Sequence, residues 1–317
     1  MLRSLAKHIY FAGLAVSGAA VRRANGLKHA GKIAVLNLHR ISPDPSPYWP
    51  PMRPEVFEEL LKFLKKNFEI RRLADLKEPA GERPIAVLSF DDGYYDFVEY
   101  ALPILQRHGL HSNMNVIPQC VLTGEPIWNV QLYDMLAGAA RDEINELTIE
   151  GFEQKLDGDS MSAKLKYGLS LSRYLKSLPR VRRYEIWQPI ADMSEKVEHA
   201  RTRMMTLNEV RQIADETDLG AHSFSHESMG NEEMSFFVDD LTRCEEFFHN
   251  ELHQSLDTYA FPNGSYRQDQ IELLRGRGVG SILLVDEQFA DLGIDAIPRL
   301  TMYGTSGREA MMRALAF

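Results

Sequence analysis

Ile85-Ala86-Val87-Leu88-Ser89-Phe90-Asp91-Asp92-Gly93 is the stretch on which the reading of this chain turns. Its first six residues are apolar and β-prone and Gly93 breaks the run, so two adjacent carboxylates stand at the carboxyl end of a buried strand. Barrel folds place their chemistry at that end of their strands. Asp-Asp-Gly taken alone is a common turn signal. A buried strand end, however, tolerates two neighbouring carboxylates only where something compensates their charge. His222-Ser223-Phe224-Ser225-His226 is the second informative set. It follows Leu219-Gly220-Ala221, so its histidines project from another strand end and from the loop after it. A lone His-x-x-x-His is most often surface or satisfied core histidine. Joined to the Asp pair, it supplies three protein ligands for a divalent metal, with positions left for water and substrate.

Outward from these sets, strand-like runs recur at about 33–38, 85–90, 113–117, 219–222, 258–261, 281–285 and 297–302. Helix-like runs lie between most of them. Residues 54–67, for instance, place Val56, Phe57, Leu60, Leu61 and Leu64 on one face. Strands alternating with helices predict an α/β fold, a distorted seven-stranded (β/α) barrel. The connection between 118 and 219 is too long for one crossover, and its amphipathic pieces, such as 163–178, predict a helical insertion over about 123–203. Long inserted segments after barrel strands act as lids or substrate platforms. Trp128 and Tyr133 within it suit either a sugar-stacking face or the insertion's own core, and the core reading is favoured. The expected organisation is an arm over 1–32 and a barrel over 33–317 carrying that insertion.

The chain resembles the polysaccharide deacetylases of carbohydrate esterase family four. The likeness runs from Ile33 onward, interrupted by the insertion, and is carried by Leu88-Ser89-Phe90-Asp91-Asp92-Gly93, Ala101-Leu102-Pro103-Ile104-Leu105, Gly220-Ala221-His222-Ser223-Phe224-Ser225-His226 and Tyr259-Ala260-Phe261-Pro262-Asn263-Gly264. It implies the same barrel fold, Asp91 as general base, and Asp92, His222 and His226 as metal ligands. The chemistry agrees with that assignment. A metal polarises an amide carbonyl and acidifies water, while an unliganded carboxylate beside it takes the water's proton. The resemblance also places an oxyanion donor at the backbone N–H of Asn263, in a turn that Pro262 and Gly264 fix.

Two departures from the common family pattern matter. Many members carry an Arg that pairs with the catalytic Asp, at the place of Ala260 here, and an aromatic at the place of Asn263. Arg299, in Ile297-Pro298-Arg299-Leu300, is the candidate to orient Asp91 instead, with Arg40 behind it. The family's general acid is often a C-terminal His, and no histidine follows His253. The run Ile33-Ala34-Val35-Leu36-Asn37-Leu38-His39-Arg40 is similar to the opening of members whose acid lies at the first strand, so His39 is the expected general acid. The competing role for His39 is to cap its strand by hydrogen bonds to a neighbouring loop.

Length and composition set the outer limits. A chain of 317 residues with 44% hydrophobic content can bury a large core within one α/β barrel. Cys120 and Cys244 are too few for a disulfide framework and are expected as buried thiols in a reducing compartment. Residues 1–32 hold Arg3, Lys7, Arg22, Arg23, Lys28 and Lys32 and no acid; taking these six positive charges from the net −9 leaves −15 for the remainder. So acidic a body argues against nucleic-acid binding, whereas the basic apolar arm suits an anionic membrane surface. Leu2, Leu5, Ile9, Ala12 and Val16 fit one helix face, and peripheral membrane contact through residues 1–24 is expected. A cytoplasmic location is favoured. Periplasmic export is the alternative, because Ile9–Val16 followed by small residues also suits a signal peptide, although Arg22 and Arg23 count against cleavage.

The expected activity is metal-dependent removal of an N-acetyl group from an N-acetylated sugar in a surface polysaccharide, a lipopolysaccharide or a glycan precursor. Glycan or glycolipid is therefore the expected partner. Zn2+ suits an Asp, His, His set best, and Co2+, Ni2+ or Mn2+ are also compatible. Two alternatives stay open: hydrolysis of another amide or an ester at the same site, and a glycan-binding barrel that has lost turnover.

Overall fold

A computed structural model of the chain describes residues 19–317 apart from 47 and 79. The apolar face expected over Leu2 to Val16 lies outside the described residues. Among the described residues no helix is long and apolar enough to cross a membrane.

The chain divides into two compact units. The larger takes in the described residues up to 44, 51–123 and 205–317. It is built on ten strands: β1 (Lys32–Leu38), β2 (Glu69–Ile70), β3 (Ile85–Asp92), β4 (Ser112–Val116), β5 (Thr217–Ala221), β6 (Thr258–Ala260), β7 (Ser281–Leu283), β8 (Ala290–Asp291), β9 (Ala296–Ile297) and β10 (Leu300–Thr301). Their order in the sheet is β10-β1-β3-β4-β5-β6-β7-β9, with β2 beside β3 and β8 beside β1. Every pairing is parallel except β1 with β8.

That order shows how the barrel closes. The path begins at β10 and ends at β9, yet only Pro298 and Arg299 separate these two strands in sequence. The sheet therefore curls until its two edges are one dipeptide apart. The single strand expected over 297–302 is thus divided at Pro298: its first part pairs with β7 and its second with β1. Proline is at home there, because a strand changing partners has no ladder bond for its missing N–H to break.

Strand periodicity sorts the side chains of β1 and β3 into two layers. Ala34, Leu36, Leu38, Ala86, Leu88 and Phe90 join the large cluster beneath the surrounding helices, where Phe90 meets Phe57 and Phe97 edge-on at 5.9 and 4.9 Å. Ile33, Val35, Ile85 and Val87 instead meet Ala260, Leu283, Ala290 and Ile297 in a separate cluster inside the barrel. The same alternation carries Ser89 and Asp91 onto the interior face. The barrel core is consequently apolar at the amino ends of these strands and polar at their carboxyl ends. Parallel strands buried on both faces read as continuous apolar runs, which is why these two were legible.

Residues 45–50 and 124–204 form the second unit. Its helices are Trp128–Gly138, Arg141–Glu146, Met161–Ser177 and Arg180–Lys196. They enclose their own core of Leu132, Leu136, Leu171, Leu175 and Ile190, all at most 1% exposed. Trp128 packs edge-on against Trp187 at 5.9 Å, and Tyr133 stacks on Tyr48 at 4.3 Å. Both aromatics thus belong to this core's margin.

Candidate metal and catalytic site

Successive residues of a strand point to opposite faces, so Asp91 and Asp92 should diverge. They converge because Asp92 leaves the extended conformation, with φ 77°, and Gly93 follows at φ 83°. Asp is among the few residues that adopt left-handed backbone at tolerable cost. Sequence spacing predicted two carboxylates at one strand end, and this reversal of the backbone is what aims both into one site.

Asp91 is buried and held on all sides. Arg299 grips it with two parallel bonds, Nη1 to Oδ1 at 2.8 Å and Nη2 to Oδ2 at 2.7 Å. Asn115 Nδ2 donates to Oδ1 at 2.7 Å. Ser89 Oγ accepts from Arg299 Nη1 at 3.1 Å and donates to Asn113 Oδ1 at 2.7 Å. Register explains the grouping: Asp91 pairs with Asn115 across β3 and β4, and Asn115 with Gly220 across β4 and β5. A Cβ on Gly220 would lie 2.3 Å from Asn115 Oδ1, so glycine is what leaves room for the amide. Burial drives the Asp91 carboxyl up, but the Arg299 guanidinium and the His222 imidazole outweigh it and hold the group well below the usual carboxylate range. Arg40, the second candidate for this role, donates instead to Asp96 Oδ2 at 2.7 Å. The supporting residues Ser89, Asn113, Asn115 and Gly220 were not singled out from sequence. Two asparagines at a spacing of two in a buried strand were the available signal.

Asp92, His222 and His226 stand together, with one ligand atom from each within 4.8 Å of the others. Asp92 Oδ1 lies 3.5 Å from His222 Nε2 and 3.4 Å from His226 Nε2. This oxygen is buried without a hydrogen-bond partner. An ionised oxygen withdrawn from water and facing two imidazole nitrogens fits a cation between them. His222 is prepared for the same role. His222 Nδ1 donates to the Ala260 carbonyl at 2.9 Å, which leaves the Nε2 lone pair directed at Asp92. Burial lowers His222 to about 4, keeping the ring neutral near neutral pH. Burial raises the Asp92 carboxyl, yet the His226, His39 and His222 rings bring it to about 2. The donor set accordingly fits a divalent metal held by Asp92, His222 and His226.

His39 follows the last residue of β1, one position beyond the pair Leu38 and Phe90. It is half-buried, and its ring contributes to the lowering of both the Asp91 and the Asp92 carboxyl. Pro262, Asn263 and Gly264 form a tight turn closed by Ser265 N–H donating to the Pro262 carbonyl at 3.0 Å. Asn263 and Gly264 have φ 56° and 62°. Two consecutive positive φ values are the pattern that Asn-Gly satisfies best, which accounts locally for asparagine at this position. The Asn263 side chain donates to Ser228 Oγ at 3.1 Å and is exposed.

The sequence model of the polysaccharide deacetylase family matches residues 188–280. No curated protein matches the chain significantly. Among solved structures, the Streptococcus pyogenes deacetylase PplD, in complex with acetate, superposes with TM-score 0.58 at 14% identity over 90% of this chain and 98% of its own. IcaB from Ammonifex degensii gives 0.56 at 14% identity, over 90% and 97%. A polysaccharide deacetylase from Bacillus cereus gives 0.57 at 12% identity, over 90% and 69%. At such identities the superpositions speak for the fold, and the family model and motifs speak for the sequence. The chain thus has the fold of these deacetylases, and its residues 188–280 match the sequence model of the polysaccharide deacetylase family.

Proposed function

We propose that this protein is a metal-dependent hydrolase that removes the acetyl group from an N-acetylated sugar of a surface polysaccharide, a lipopolysaccharide or a glycan precursor. The observation that carries the reading is the pairing of two unlike carboxylates. Asp91 is saturated by Arg299 and Asn115, whereas Asp92 offers an orphaned oxygen to two imidazoles.

A divalent metal at Asp92, His222 and His226 supplies Lewis acidity toward the acyl carbonyl and lowers the pKa of water there. The remaining work falls to the chain's own groups. Arg299 and Asn115 fix Asp91 so that it accepts the proton leaving water as its oxygen bonds to the acetamide carbon. The Asn263 backbone N–H, set by its left-handed turn, faces the developing oxyanion. His39 gives a proton to the sugar nitrogen as the C–N bond breaks, releasing acetate and a free amine.

Acetate release from a panel of N-acetylated oligosaccharides tests this reading. Release is expected with zinc, is abolished by a chelator and returns on zinc readdition; no release from any member of the panel at any metal level would favour a binding barrel without turnover. His39→Ala should keep its metal and lose about 10²-fold or more in turnover. Unchanged turnover would return the proton donation to water or another side chain.

A further inference from the structure

The loop that carries both histidines is strained. Ser223 and His226 have φ 60° and 61°, a conformation that persists only when its surroundings over-determine it. What over-determines it is one carboxylate from outside the loop. Asp240 lies on the helix Met234–Glu251 and is 2% exposed. Its Oδ1 accepts the Phe224 N–H at 2.8 Å. Its Oδ2 accepts the Ser225 N–H at 3.2 Å, the Ser225 hydroxyl at 2.8 Å and the Ser223 hydroxyl at 3.2 Å. Ser223 Oγ in turn accepts the N–H groups of Ser225 at 3.2 Å and of His226 at 2.9 Å. A continuous chain of bonds thus runs from Asp240 through Ser223 to the backbone of His226. The carboxylate is anchored independently of the loop, because Phe237, Leu241, Cys244 and Phe248 of the same helix are fully buried in the main core.

We propose that Asp240 is a positioning residue that holds the Ser223–Ser225 segment so that His222 and His226 present their Nε2 atoms together. This rests on reading Asp92, His222 and His226 as a metal site. None of the three ligands touches Asp240 among the bonds described, so its effect reaches the metal through Ser223 and the backbone. Helix and strand supply a rigid frame, and the carboxylate transfers that rigidity to a loop that has no regular hydrogen-bonding ladder of its own.

Zinc affinity, measured by competition with a chromophoric chelator, tests the proposal beside thermal unfolding of the metal-free protein. In Asp240→Asn the amide places a donor against donors. Its zinc Kd should rise about 10–100-fold, the range for groups that orient metal ligands. Ser223→Ala should weaken zinc in the same direction. The double variant should lose far less than the product of the two single losses, because both act along one chain of bonds. A purely architectural Asp240 would lower the metal-free melting temperature and leave the Kd within about twofold of wild type, overturning the proposal. If Asp240→Asn does not fold, wild-type affinity in Ser223→Ala overturns it equally. Wild-type protein that takes up no zinc at all would instead remove the metal reading on which the proposal stands.

Discussion

Arg299→Met is expected to cost about 3–5 kcal/mol of folding stability, the range for removing one partner of a buried ion pair. The guanidinium is fully buried, and Asp91 is 1% exposed. Methionine therefore leaves a carboxylate in the barrel interior with only Asn115 as a direct donor, and it strips the Leu284 carbonyl of the Arg299 Nε bond. The deficit has a pH signature. In the wild type the Asp91 carboxyl is held low, so its contribution is fully present above its unfolded value near 3.9 and is lost as pH falls through the folded value. In the variant burial dominates and raises the folded value, so the penalty is full near neutral pH and relaxes as acid protonates Asp91. Urea unfolding at about pH 7 and about pH 4.5 should show the gap between the two proteins narrowing in acid. A gap of under about 1 kcal/mol near neutrality would show that the pair contributes no more than an exposed one.

Asp91→Asn and Asp92→Asn should separate into two phenotypes although the residues are neighbours. Asp91→Asn is expected to retain about one zinc per chain and to lose turnover by about 10²–10⁴-fold, the worth of a general base. Asp92→Asn is expected to fall to negligible zinc, because the orphaned Oδ1 between the two imidazoles loses its charge. Elemental analysis after dialysis against trace zinc, run beside acetate release, distinguishes them. Metal lost equally from both variants would mean that the two carboxylates act as one ligand group and that no separate base exists.

Much of the frame was legible because it follows from patterns of short range. The apolar runs at 33–38 and 85–90 read as buried strands, and β1 and β3 occupy them. The helix over Pro54–Asn67 announced its buried face through the spacing of Val56, Phe57, Leu60, Leu61 and Leu64. The division of 297–302 was not legible: Ile297 and Leu300 look alike in sequence, and only closure of the sheet assigns them to different neighbours. At the site, Asp91, Asp92, His222 and His226 stood out as unusual polar residues at strand ends, and Arg299 as a cation in a strand-like run. Asn115 and Ser89 did not stand out, because a small polar residue in a strand carries no mark of the partner it will meet. Asp240 was hidden differently. On a helix rich in charged residues, a carboxylate that faces inward looks like one of the many that face water.

The seam at Pro298 and Arg299 ties the protein's geometry to its order of synthesis. Arg299 follows Asp91 by 208 positions, so β1 and β3 can be made and paired long before the guanidinium leaves the ribosome. Until then Asp91 lacks its guanidinium partner, and sealing an ionised carboxylate without one is costly. The guanidinium that pairs with Asp91 and the last edge strand, β10, follow each other directly in the chain. A nascent chain that ends before Arg299 lacks both the closing edge of its sheet and the guanidinium partner of Asp91, so closing the barrel and pairing that carboxylate belong to one event.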